Sequence, residues 1–213
     1  MKVADVHARS LATSAELTRY YMPETILPLE VVKVLQKAKI PFILAGAHGI
    51  FGWMGVNEAR PTKVVDVIVA ERYHQKAVKL LLESYPHLEP VKLEVVTRLK
   101  RRNSEDFLVD VMRTRALCRE AFKHTHQVHS GKLVYRVPSL EMALAMKFGA
   151  MISPTRDDAK KLMDAHDFIM IVRAHENIDM ELVVHLGELV YSGGGAEIVE
   201  LVRRVRAGET LIL

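Results

Sequence analysis

One cysteine, Cys118, stands in a chain of 213 residues. A disulfide framework is therefore excluded. Aromatic residues make up only 6%, so the core must be built from Leu, Val, Ile, Ala and Met. No apolar run approaches the roughly 18–20 residues that span a bilayer. Residues 1–21 alternate polar and apolar side chains and lack the continuous apolar stretch of a signal peptide. These absences predict a cytoplasmic protein with no membrane partner. What is present is ordinary for a globular chain, 49% hydrophobic and 26% charged. That length suits one domain or two small ones.

The net charge is +4 and the pI about 9.1. Positive charge concentrates in Arg98-Leu-Lys100-Arg101-Arg102 and in Arg203-Arg204-Val-Arg206. Either run suits a phosphate backbone. The plainer expectation is a solvated hairpin tip and a solvated last helical turn.

Periodicity divides the chain in two. Apolar residues at Ile26, Leu29, Val32 and Leu35 predict a helix over 25–39, ended by Pro41. Phe42 to Ala45 reads as a buried strand, and 46–55 as a turn and short helix. Strands are expected at 64–69, 91–97 and 107–112, the last two as a hairpin joined by the polar stretch 100–105. Helices are expected at 73–82 and 115–122. A Ser130-Gly131 turn precedes a short strand at 133–135. From Pro138 onward the pattern is helical. Thr155-Arg-Asp-Asp158 has the form of a capping box. The expected organisation is an α+β domain over 1–137, with N-terminal helices, and a helical subdomain over 138–213.

Two segments bear on chemistry. Gly46-Ala47-His48-Gly49 follows the first strand, and Arg60-Pro-Thr62-Lys63-Val-Val-Asp66 leads into the second; a later strand carries Asp110. Asp66 and Asp110 each interrupt an apolar run. A lone acid there needs a partner or a solvated cleft, because burying an unpaired charge is costly. Both are therefore expected to face one cleft beside the Gly46 turn, on adjacent strands. Arg60, Thr62 and Lys63 are expected at its mouth, where Arg offers bidentate phosphate contacts and Lys a point charge.

This arrangement resembles the polymerase-beta-like nucleotidyltransferase superfamily, whose pattern runs Arg-x-Thr-x-Asp-apolar-Asp. Farther on, 137–147 with Lys147, then Arg156, Asp164 and Asp167, look like the helical tail of abortive-infection (AbiEii-type) toxin nucleotidyltransferases. The resemblance covers roughly Leu29 to Val172. It implies a mixed sheet flanked by helices and then a helical subdomain. It implies Asp66 and Asp110 as catalytic, metal-binding acids for Mg2+ or Mn2+. It also implies a nucleoside triphosphate ligand held by Gly46, Ala47, His48, Arg60, Thr62, Lys63 and Lys147. Position 64 departs from the pattern, since valine stands where the first acid is expected. The favoured function is a nucleotide-binding protein with weakened or lost transfer of a nucleoside monophosphate. The alternatives are an active metal-dependent enzyme acting on RNA, a protein or a small molecule, within a toxin–antitoxin or phage-defence pair, and a non-catalytic RNA- or protein-binding module.

Two other constellations are weaker. His124-x-His126-x-x-His129 splits across the two faces of a strand and has no cysteine to complete a zinc site. Gly193-Gly-Gly195 before a helix reads as a helix–helix connector.

Overall fold

The computed structural model describes residues 2–114 and 116–209. The chain separates into two compact units, Met1–Pro138 and Ser139–Leu213.

The first unit opens with a long helix, α1 (Val3–Tyr21). Its buried face carries His7, Ser10, Leu11, Ser14 and Thr18, a polar stripe at helical spacing. α2 (Pro28–Lys37) follows. It starts later than the apolar periodicity suggests, because Pro28 takes the first helical position, where its missing N–H is no loss. Glu30 accepts the Leu27 N–H at 2.9 Å. Lys39 ends the helix in a left-handed conformation, φ 54°.

β1 (Phe42–Leu44), α3 (Gly46–Met54), β2 (Val65–Val69) and α4 (Glu71–Ser84) come next. Then follow β3 (Leu88–Lys92), β4 (Val96–Arg101) and β5 (Phe107–Met112). The strand expected over 91–97 is thus two strands: the chain reverses at Leu93–Val95, with the Leu93 N–H donating to Val96 O at 2.9 Å. A short helix, α5 (Ala116–Glu120), leads to the hairpin of β6 (Thr125–Ser130) and β7 (Leu133–Pro138). Arg115, where a helix start was expected, lies outside the described residues.

The larger sheet has the order β1-β2-β5-β4-β3. β2 and β5 are parallel and the other neighbours antiparallel. Side chains alternate across it. Phe42, Leu44, Val65, Val67, Val69, Leu99, Val109 and Val111 join Val31, Val32 and Leu35 of α2 and Ala77 and Leu81 of α4 in one buried core. The intervening residues of β2, β5 and β4 point to the other face.

The second unit is helical: α6 (Leu140–Met151), α7 (Asp158–Ala174), α8 (Met180–Glu188) and α9 (Gly194–Arg206). Asp157, rather than Thr155, caps α7, accepting the Lys160 N–H at 3.0 Å. An acid directly before the helix reaches the third-residue amide, which is the usual N-cap bond. The Glu188 carboxylate accepts the N–H groups of Gly193 and Gly195, both at 3.0 Å. The start of α9 is therefore occupied from within, so the triple glycine is a connector with its own internal anion. Gly187 and Gly194 let α8 and α9 approach closely: a Cβ on Gly194 would lie 2.4 Å from Gly187 O.

Candidate nucleotide site

β2 and β5 run parallel with Asp66 opposite Asp110 in the register. Directly paired residues project to the same face, one strand spacing of about 4.8 Å apart. The next strand continues the row, because Arg98 of β4 is paired with Asp110. At the other end of the row, the Ala45 N–H donates to Asp66 O at 2.9 Å, and α3 begins at once. Gly46 has φ +57°, and a Cβ there would stand 2.0 Å from Asp66 Oδ2. Only glycine permits this approach. The site is therefore a row across that second face of the sheet: the α3 N-terminus, Asp66, Asp110, Arg98.

Arg98 fixes the character of that row. Its Nε donates to Asp110 Oδ1 at 3.0 Å and to Oδ2 at 3.1 Å. The guanidinium lies over the Phe107 ring, 3.9 Å from its centroid. Sequence reasoning placed Arg98 in a solvated run. The usable signal was alternation: Thr97 and Leu99 are buried while Arg98 and Lys100 face the other way. The rest of the run is also engaged, Lys100 with Glu105 and Glu89, Arg101 with Glu24, and Arg102 with Pro86 O. In the second run Arg203 pairs with Glu200, Arg204 with Glu209, and Arg206 donates to Glu176 O.

The other proposed ligands are spread out. Lys63 leads into β2 and Asp106 into β5, at the same end of the sheet as Gly46, and the two form an ion pair. That pair holds the Asp106 carboxyl below its ordinary pKa. The Arg60 guanidinium sits 5.3 Å from the centroid of Phe51. Thr62 is held through its backbone, its N–H donating to Thr18 Oγ1 at 2.9 Å, while Ser14 donates to Arg60 O at 2.7 Å. The polar stripe of α1 thus clamps the Arg60–Thr62 segment. Ala47 occupies the second position of α3, without a hydroxyl.

His48 is 2% exposed. Burial first, and the nearby Arg60 charge second, lower its pKa to about 3. It is a neutral imidazole packed edge-on against Phe51, not a cation for phosphate.

Lys147 belongs to the second unit. It is buried between Asp164 (2.8 Å) and Asp167 (2.7 Å), and Arg156 reaches Asp164 at 2.5 Å. The single thiol takes no part in the row: burial pushes Cys118 up to about 11, so it is not a thiolate at neutral pH.

The donor set does not fit the divalent metal that the resemblance implies. Val64 precedes β2 where an acid is expected. Both oxygens of Asp110 accept from Arg98. Among the described residues no group of three His, Cys, Asp or Glu side chains gathers into a metal site. The three histidines at 124–129 are likewise engaged elsewhere, with Glu120, Trp53 and Gln127.

Comparison with solved structures identifies the fold as nucleotidyltransferase-like. An antigenic nucleotidyltransferase-like protein from Paracoccidioides brasiliensis superposes with a TM-score of 0.50 at 15% identity, over 89% of this chain and 94% of that one. Two other structures match with lower scores. The CD-NTase CdnG from Bradyrhizobium diazoefficiens, in complex with GTP, gives 0.32 at 10% identity, over 99% of this chain and 93% of that one. Terminal uridylyl transferase 4 from Trypanosoma brucei, with bound CTP, gives 0.34 at 11% identity, over 81% of this chain and 57% of its own. No family model matches the chain, and no curated protein does. Among the described residues no helix is long and apolar enough to cross a membrane.

Proposed function

We propose that this chain is a nucleotide-binding protein of nucleotidyltransferase fold in which transfer of a nucleoside monophosphate is weakened or lost. The observation that carries the reading is the row itself. Two acids stand in register on parallel strands, the first pressed against the glycine that opens a helix, while the position for a further acid is valine and the second acid is held by an arginine.

Some of the groups that would bind a phosphate chain lie at the Gly46 end of the sheet. The first amides of α3 present partial positive charge beside Asp66. Lys63 is paired only at the surface, and such pairs contribute about 0–1 kcal/mol. It exchanges Asp106 for a phosphate at little cost. Arg60 is positioned through its carbonyl by α1. What the donor set does not supply is a divalent metal's charge at the reacting phosphate, and electrostatic stabilisation there is usually the largest contribution in phosphoryl-group chemistry. A loss of several kcal/mol there lowers the rate by a few powers of ten.

The test is incubation with each α-labelled ribonucleoside triphosphate in magnesium or manganese, with binding measured in parallel. Saturable binding with no transfer, or transfer barely above background, is expected. Rapid labelling of an acceptor would overturn the weakened-transfer reading.

A further inference from the structure

We infer that Arg98 is a built anion receptor standing in for a metal ion, so that a phosphate chain binds the Asp66–Asp110 row without a divalent cation. The inference rests on the nucleotide reading of that row and extends it to the way charge is neutralised.

Arg98 is anchored twice. Asp110 takes its Nε, and Phe107 lies under its plane. The hydrogen bonds to Asp110 come from the Arg98 Nε. Its two Nη nitrogens have no hydrogen-bond partner among the described residues, and the side chain is 26% exposed. A planar fork with both outer nitrogens open matches two phosphate oxygens. Anchoring also means that little rotamer freedom remains to be lost on binding. Lys100, on the same face of β4, differs: it is engaged by Glu105 and Glu89.

Two consequences follow. Asp110, already neutralised by Arg98, no longer repels a phosphate as a bare carboxylate would. Arg98 also lies two strand spacings, about 10 Å, from Asp66 and the α3 N-terminus, so a polyphosphate along the row meets N–H donors at both ends. Magnesium bound to the phosphates lowers their charge and weakens the attraction to a guanidinium. Binding should therefore be as strong in EDTA as in magnesium, or stronger.

The experiment is a calorimetric titration of the full chain with inorganic tripolyphosphate and with each ribonucleoside triphosphate, in EDTA and in excess magnesium. Three proteins are compared: wild type, Arg98→Lys, and the double variant Arg98→Met/Asp110→Asn. The double variant removes both charges together and leaves no lone carboxylate; thermal melts check that it folds. The expected result is wild-type binding in EDTA at least equal to that in magnesium. A loss of about tenfold or more is expected in the double variant, and a smaller loss in Arg98→Lys, which keeps a charge without the fork. Binding that requires magnesium overturns the inference even if no variant folds, and so does an unchanged affinity in a folded double variant. Arg98-dependent binding of tripolyphosphate with no tighter binding of nucleotides keeps the receptor and ends the nucleotide reading. No binding of any polyphosphate ends both.

Discussion

A methyl group on Gly46 would stand 2.0 Å from Asp66 Oδ2, on a residue whose φ is +57°. Gly46→Ala must therefore strain the backbone and displace the carboxylate. We expect a loss of roughly 2–4 kcal/mol of stability, together with weaker nucleotide binding; denaturant unfolding and calorimetry check the two effects separately. His48 acts mainly through its burial, with the Arg60 charge adding to the effect. Its pKa is lowered from 6.5 to about 3, so the unfolded chain binds a proton between these values that the folded chain refuses. Its contribution to stability is whole above pH 6.5 and declines as pH falls toward 3, by at most about 1.4 kcal/mol per pH unit. His48→Leu should show a shallower decline in melting temperature between pH 6.5 and 4 than wild type. Nucleotide affinity should not carry a step assignable to His48 between pH 6 and 8. Equal melting profiles for the two proteins would refute the assignment. The sequence could not show this, because a histidine after a glycine turn looks the same whether it meets phosphate or Phe51.

At the scale of elements, periodicity located most helices and strands but failed where its assumptions did. α1 carries a buried stripe of His7, Ser10, Ser14 and Thr18, so a search for an apolar face passes over it. Its role is polar: Ser14 and Thr18 hold the backbone of Arg60 and Thr62. The double variant Ser14→Ala/Thr18→Val should cost about 1–3 kcal/mol, the usual scale for leaving buried partners unsatisfied. Hydrogen exchange should quicken at residues 60–63; unchanged protection there would show that α1 is only packing. The 91–97 strand was misread because Leu93 and Val95 are apolar yet exposed at a hairpin tip, where composition hides the reversal. In the second unit, Lys147 bridges two acids of α7 that are nearly inaccessible, their side chains 3% and 0% exposed. Lys147→Met leaves those carboxylates buried without it, and should destabilise by about 3–5 kcal/mol. A loss below 1 kcal/mol by chemical denaturation would mean that Asp164 and Asp167 are satisfied without Lys147.

For the molecule as a whole, the order of motifs along the chain carried more information than any single motif. Gly46, Arg60–Lys63, Asp66 and Asp110 appear in that order, and the fold they suggested is nucleotidyltransferase-like by structural comparison. The row's far end was illegible. Arg98 reaches Asp110 only through the antiparallel register of β4 on β5, which no local pattern states, and Asp110 taken alone looks like a metal ligand. The altered site should show in bulk behaviour: manganese or magnesium without nucleotide should leave the wild-type melting temperature unchanged, because a ligand stabilises only by binding the folded state. The most direct test of the central claim is the backbone amide spectrum of the isotope-labelled chain, titrated with a ribonucleoside triphosphate. Saturable shifts should centre on Gly46, Ala47, Asp66, Arg98 and Asp110. Saturation with no change at these five residues, or shifts confined to residues 139–209, would contradict it.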